Sequence, residues 1–337
     1  MAAPKKSKLP EKILKIETED TNYTPFENIP EEYHGLLIPA AKYFYQHDYD
    51  FDMVCQCVRL EEFSLWMHEI FAMEDITLLP VTCKEIIALH FMAGGGGTKA
   101  NIAGRGPYQL NGKEVNLFKL NTIFHEAPMK RGDAMFSFHI NIVPGVLAKM
   151  ALRYPELEQL ANKKLMEGSG PLHDEPYKIN LVCYNLINDI CNCRYIGLLA
   201  DKLLYRCCLD LFINFANQDR VAHLPKIHCT AEMRYTLKEA VAYIMDNPEE
   251  EFNLAKIAYM LDINAEELSR AFENLHHITM KDFHLQRKMI HAFHMTVATS
   301  MEPDEIARAI CMNSSEAFIH LFESYFNSSF IAIRNAQ

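Results

Sequence analysis

Two small groups of side chains, about fifty residues apart, are the ones whose types and spacing could meet a nucleic acid. The first is Ala265, Glu266, Ser269 and Arg270; the second is Ser314, Ser315, Ile319 and His320. Each group opens a segment whose aromatic and aliphatic residues recur four apart, Leu268 and Phe272 in one and Phe318 and Phe322 in the other. Such side chains lie on the exposed face at the start of a helix, the part that meets base edges when a helix enters the DNA major groove. Arg287 and Lys288, on the stretch between the groups, could approach a phosphate, a contact that positions without reading sequence. Glu266 and Glu267 pull the other way. A carboxylate can accept from cytosine N4, yet two of them at the front of a groove-facing helix repel phosphates.

The elements that must position these groups form a duplicated pattern. Ile257-Ala258-Tyr259-Met260-Leu261-Asp262-Ile263 precedes the first group, and Ile306-Ala307-Arg308-Ala309-Ile310-Cys311-Met312 precedes the second. Each reads as a short helix, a tight turn and a second helix. The small Ala258 and Ala307 sit four residues before the turn, where steeply crossing helices approach closely. This is the geometry of a helix-turn-helix. Ile257, Leu261, Leu268, Phe272, Ile306, Phe318 and Phe322 are core positions. The periodicity predicts helices over 231–245, capped by Thr230, and over 253–261, 265–275, 281–298, 303–309 and 314–325.

The rest of the chain divides by texture, and the fold class expected is α+β. Residues 1–34 read as a flexible tail, Lys-rich and then polar with three prolines. A helical start is expected around 38–46. Residues 35–143 are β-rich and sensor-like, with strands expected near 53–60, 64–73, 76–80 and 85–92, as in an antiparallel sandwich or barrel. Asn111-Gly112 predicts a two-residue hairpin joining 108–110 to 113–115. Residues 144–225 form a helical linker or dimerisation segment, with helices at 145–154, 155–166, 181–191 and 198–215. The last of these carries Leu199, Leu203, Cys207, Leu211 and Phe215 on one stripe. A polar linker is expected over 218–230, and residues 226–337 hold the duplicated unit.

Other constellations fall short of a chemistry. Gly94–Gly97 before Thr98-Lys99 lacks the register of a phosphate loop and reads as a β-turn. Cys55-x-Cys57 and Cys191-x-Cys193 lack zinc-knuckle spacing, so no metal or other cofactor is expected. His68, His90, His125 and His139 alternate within apolar strands, where they either line a ligand cavity or rest as satisfied core residues. No Ser-His-Asp, Cys-His or paired-carboxylate arrangement can be identified, and no enzymatic activity is expected. No apolar run approaches the roughly 18 residues of a membrane span. The start of the chain has no apolar stretch of secretory type, and a cytoplasmic location with reduced cysteines is expected. The 337 residues carry a net charge of −11, and 226–337 hold 10 Lys+Arg against 16 Asp+Glu. Non-specific affinity for a duplex comes mainly from Lys and Arg, so this balance argues against tight non-specific binding.

Residues 235–334 resemble the DNA-binding domain of the AraC/XylS family of transcription regulators. The resemblance rests on Leu254-Ala255-Lys256-Ile257-Ala258, Leu268-Ser269-Arg270-Ala271-Phe272, Arg287-Lys288-Met289 with Ala292, Glu305-Ile306-Ala307, then Phe318, Phe322, Phe326 and Arg334. Residues 136–217 also resemble a linker found in regulators of this family of Bacteroidetes type, whose N-terminal domain is a β-rich sensor. The departures are Asp262, Cys311 and Asn327 at positions where the family usually has Gly, and Ser329-Phe330 in place of Thr-Pro. The resemblance implies a regulator that reads two successive major grooves of double-stranded promoter DNA. A small-molecule effector in the N-terminal domain and a homodimer are further partners it leaves open. Two alternatives stand beside it: an interaction module of the same fold that has lost DNA binding, and a small-molecule carrier built on the β region.

Overall fold

The computed structural model describes residues 9–20, 22–94, 96–163, 168–222 and 229–336. The fold is α+β, and the chain separates into two compact units, Met1–Ile179 and Asn180–Gln337. The division falls inside 144–225, so that segment contributes to both units. No helix among the described residues is long and apolar enough to cross a membrane.

The first unit is mostly strand. In chain order it contains β1 (Glu11–Glu17), the short helix α1 (Glu31–His34), β2 (Lys42–Asp48), β3 (Phe51–Arg59), β4 (Ser64–Ala72), β5 (Ile76–Thr82) and β6 (Ile86–Met92). Then come β7 (Thr98–Ile102), β8 (Gly106–Leu110), β9 (Glu114–Leu120), β10 (Ala127–Met129) and β11 (Ala134–Ile142). The helices α2 (Pro144–Ala151) and α3 (Glu158–Asn162) follow, with β12 (Gly170–Pro171) and β13 (Tyr177–Lys178) last. The main sheet runs β12-β9-β6-β11-β4-β3-β2, with β13 also on β9; β1-β5-β10 and β7-β8 form two smaller sheets. Near-continuous burial along β3, β4, β6, β9 and β11 matches their Val, Ile, Phe and Met content and the covering of both faces.

Three expectations are corrected here. Residues 11–17 are a strand instead of tail, paired in parallel with β5. The buried Glu17 at its end accepts from the Trp66 indole at 3.3 Å and the Asn141 amide at 3.1 Å, and also meets Ser64 and Arg59. Charge-assisted partners on three other strands satisfy a carboxylate that would otherwise be costly to bury. Residues 42–48 form β2 instead of a helix, because alternating Tyr43, Tyr45 and Phe44 pair along β3. The Asn111-Gly112 hairpin is not formed. β8 pairs with β7, β9 pairs with β6, and the tight β7–β8 turn uses Gly104 at φ 80° and Gly106 at φ 96°.

The second unit is helical among its described residues: α4 (Leu181–Cys191), α5 (Gly197–Val221), α6 (Ala231–Asp246), α7 (Leu254–Met260), α8 (Ala265–His276), α9 (Met280–Ala298), α10 (Pro303–Ala309), α11 (Ser315–Phe326) and α12 (Phe330–Arg334). The linker expected at 218–230 begins later, since α5 continues to Val221, and its residues 223–228 lie outside the described set. The stripe on α5 is buried within the chain, with Leu199, Leu203, Cys207, Leu211 and Phe215 all at most 5% exposed.

Candidate nucleic-acid interface

The two helix-turn-helix units repeat in backbone detail. In the first, Asn253 caps α7 by accepting from Lys256 N at 2.9 Å, and Ile257 and Ala258 are buried. The helix ends where Asp262 adopts φ 51°, letting Ile263 N donate back to Ala258 O at 3.0 Å. In the second, Glu302 and Glu305 form a capping box around Pro303, and Ile306 and Ala307 are buried. Cys311 adopts φ 54°, and Met312 N donates to Ala307 O at 2.8 Å. The same back-bond closes both helices. Both second helices also end alike, at His277 (φ 57°) and Asn327 (φ 48°), whose N–H groups return to Glu273 and Glu323 carbonyls. Left-handed residues other than glycine cost roughly 1–2 kcal/mol each, so packing must hold these turns. The second turn is one residue longer: Met312 and Asn313 stand where the first has Ile263 alone.

Eight of the sequence-selected residues fall at the fronts of α8 and α11. Glu266 and Arg270 are exposed; Ser269 is half-buried, and Ala265 packs against the unit's core. Ser314 and His320 are exposed, while Ser315 and Ile319 are half-buried. The Ser314 hydroxyl accepts from Ala317 N at 3.1 Å as the cap of α11, leaving its O–H free to donate elsewhere. Asn264, not singled out from sequence, does the same for α8, accepting from Glu266 N and Glu267 N at 2.9 and 3.1 Å. Its signal was a capping residue directly before the apolar stripe.

Arg287 and Lys288 are not surface cations of α9: both are buried and engaged by other parts of the chain. Arg287 is 9% exposed and its guanidinium is bound to Asp189 of α4. Lys288 is 7% exposed, donating to Ile310 O at 2.6 Å and Glu249 O at 3.3 Å. Burial lowers its pKa from the ordinary lysine value. The Ile310 carbonyl belongs to the second turn, so Lys288 serves to close that turn. With both cations withdrawn, the only Lys or Arg on the two front helices is Arg270, against Glu266, Glu267, Glu273, Glu316 and Glu323. Glu266, Glu267 and Glu316 lie in the first turns, where a carboxylate stabilises the positive end of the helix dipole.

In the first unit, His90, His125 and His139 line a cavity of about 80 Å³ with Ser137, Tyr108 and apolar side chains. His68 lies behind His139, ring centres 4.9 Å apart, and contacts Lys15 O at 3.1 Å. Burial drives His90 and His139 down to about 3, so both are neutral at ordinary pH. His125 Nδ1 accepts from Ala103 N at 3.2 Å, which puts the ring proton on a buried Nε2 without a partner among the described residues. No group of three or more metal-ligating side chains occurs among the described residues.

No protein-family model matches the chain, and no curated protein matches it. Solved structures similar to it include an AraC-type transcriptional regulator from Chromobacterium violaceum, 24% identical over 32% of this chain and 95% of that one, with a TM-score of 0.29. Another is the C-terminal domain of the two-component response regulator yesN from Fusobacterium nucleatum, 25% identical over 29% of this chain and 96% of that one, TM-score 0.27. ToxT from Vibrio cholerae is 11% identical over 81% of this chain and 98% of its own, TM-score 0.31. Scores this low carry no weight for function, which must come from the residues themselves.

Proposed function

We propose that the chain is a transcription regulator of AraC type whose second unit binds double-stranded DNA sequence-specifically. In this reading α8 and α11 enter two successive major grooves about 34 Å apart on one face of the duplex. The observation that carries it is the twofold repetition of the helix, left-handed turn and helix, with polar side chains exposed at both helix fronts. The shortage of free cations makes the interaction depend on base-edge contacts more than on phosphates. The test is a salt titration of full-length protein on native upstream DNA found by crosslinking to its own chromosome. Clear preference over random duplex is expected, with log affinity falling against log salt at a slope near −0.9 for each phosphate neutralised. Equal affinity for random and native duplex overturns the proposal.

A second reading is an interaction module that keeps the fold without binding DNA. Five carboxylates against Arg270 on the two front helices, and the burial of Arg287 and Lys288, favour it. No duplex binding below micromolar protein at low salt decides for that reading. A small-molecule effector, if one acts here, belongs in the histidine-lined cavity. Its about 80 Å³ and unpartnered His125 N–H suit a small, uncharged molecule carrying one hydrogen-bond acceptor. A thermal-shift screen of such molecules, compared with a His125→Phe variant, tests this.

A further inference from the structure

Helix α5 carries Arg206, Asp210, Asn214 and Asn217 at spacings of four, four and three, which puts all four on one face. Each reaches the C-terminal end of a front helix. Asn214 Nδ2 donates to His276 O at 2.7 Å, and Asn217 Nδ2 donates to His277 O at 3.2 Å. These carbonyls finish α8 and lack partners within the helix. Asn180 fixes the Asn214 amide by donating to its Oδ1 at 2.9 Å, and also donates to His276 O at 3.2 Å. At α11 the partners differ. The Tyr325 hydroxyl donates to Asp210 Oδ2 at 2.7 Å, and Arg206 donates to Asp210 Oδ1 at 2.5 Å and to Tyr325 O at 3.4 Å. The Arg206 guanidinium also lies 3.8 Å from the centre of the Tyr325 ring.

The geometry points to α5 as a brace that sets the separation and rotation of α8 relative to α11, with Asp210 and Asn214 as its positioning residues. The anchoring points lie within about 16 Å of one another along a single continuous helix. Apolar packing alone tolerates small rotations, whereas hydrogen bonds weaken steeply away from linear geometry. Asp210 and Asn214 are 6% and 4% exposed, so water does not compete for these bonds. The functional meaning of the brace rests on the DNA-reading proposal; its mechanical role does not.

The test uses the full chain with spin-labelled noncanonical residues at the exposed Glu266 and His320, read by pulsed dipolar spectroscopy. The unmodified brace gives one narrow distance distribution. Tyr325→Phe, which removes one donor, and Asn214→Ala, which removes the amide donor to His276 O together with the acceptor for Asn180, broaden or shift it, and Ser324→Ala on the exposed face of α11 leaves it alone. A distribution unmoved by the combined Tyr325→Phe/Asn214→Ala variant, at unchanged helix content, overturns the brace. On duplexes with a graded spacer between half-sites, the combined variant loses about tenfold in preference for the best spacer while keeping affinity for an isolated half-site. A uniform loss at every spacer counts against the brace. If the unaltered chain binds no duplex, the DNA proposal falls and the distance measurement still decides this one.

Discussion

The two helix-turn-helix units share a backbone and differ in what fills it. Around the first, Phe272 meets Phe283 and His276 at ring distances of 5.9 and 4.6 Å. Around the second, Phe322 meets Phe318, Phe326, Phe330 and Phe293 at 5.5, 4.9, 5.6 and 6.4 Å. The first turn uses Asp262, which tolerates a left-handed conformation moderately; the second uses Cys311, which tolerates it poorly, and adds a residue. One fold is thus reached by two distributions of stabilising interactions, so equivalent substitutions should have unequal effects.

The largest effects are expected in the cores. Phe322→Ala and Phe272→Ala should each cost on the order of 3–5 kcal/mol, with Phe322 at the upper end because it loses more aromatic neighbours. Urea denaturation of both variants checks the order; equal costs would erase the contrast. Arg287→Ala should cost about 3–5 kcal/mol by leaving Asp189 unpaired in a largely buried position. A variant with wild-type stability and weakened affinity for a duplex would assign Arg287 to phosphate despite its burial. Enlarging the close crossing, Ala258→Leu or Ala307→Leu, should cost about 1–3 kcal/mol by overpacking, read as a lower thermal midpoint.

Smaller effects separate the turns. Cys311→Gly should stabilise by roughly 0.5–1 kcal/mol, since relief of left-handed strain exceeds the added chain entropy, and Asp262→Gly by less. Calorimetry showing no gain for Cys311→Gly would mean the thiol makes an offsetting contribution. Acid should act first on the first unit of the pair. His276, His277 and His284 are held at about 4, burial being the main cause for each. Between the ordinary value of 6.5 and about 4 the unfolded chain binds the extra protons, so stability falls as pH falls through that window. Amide exchange at pH 7 and pH 5 should show α8 losing protection before α11.

Much of this was legible from residues in sequence order. Helix α4 occupies the expected 181–191 and α10 the expected 303–309, because 3.6-residue periodicity and capping are local signals. Both turns and the core aromatics follow from the duplicated pattern. What was illegible is non-local. Pairing of residues 11–17 with β5 joins segments 65 to 66 residues apart, and the Arg287–Asp189 pair spans 98. An Arg-Lys pair on a helix reads as solvent-facing until the partner that buries it is known. The Asn-Gly hairpin failed for the same reason: the flanking strands found better-matched partners elsewhere, and tertiary pairing overrode the turn preference.

The extra residue in the second turn makes the approach to α11 longer than the approach to α8. Because α8 and α11 are entered differently and present unlike side chains, the pair has no internal twofold symmetry. A target matched to it would have distinguishable left and right ends, and a bound molecule could not be reversed upon it. On the DNA-reading proposal, whatever surface it offers to neighbouring machinery faces one way along the duplex, giving directionality without a second copy of the protein.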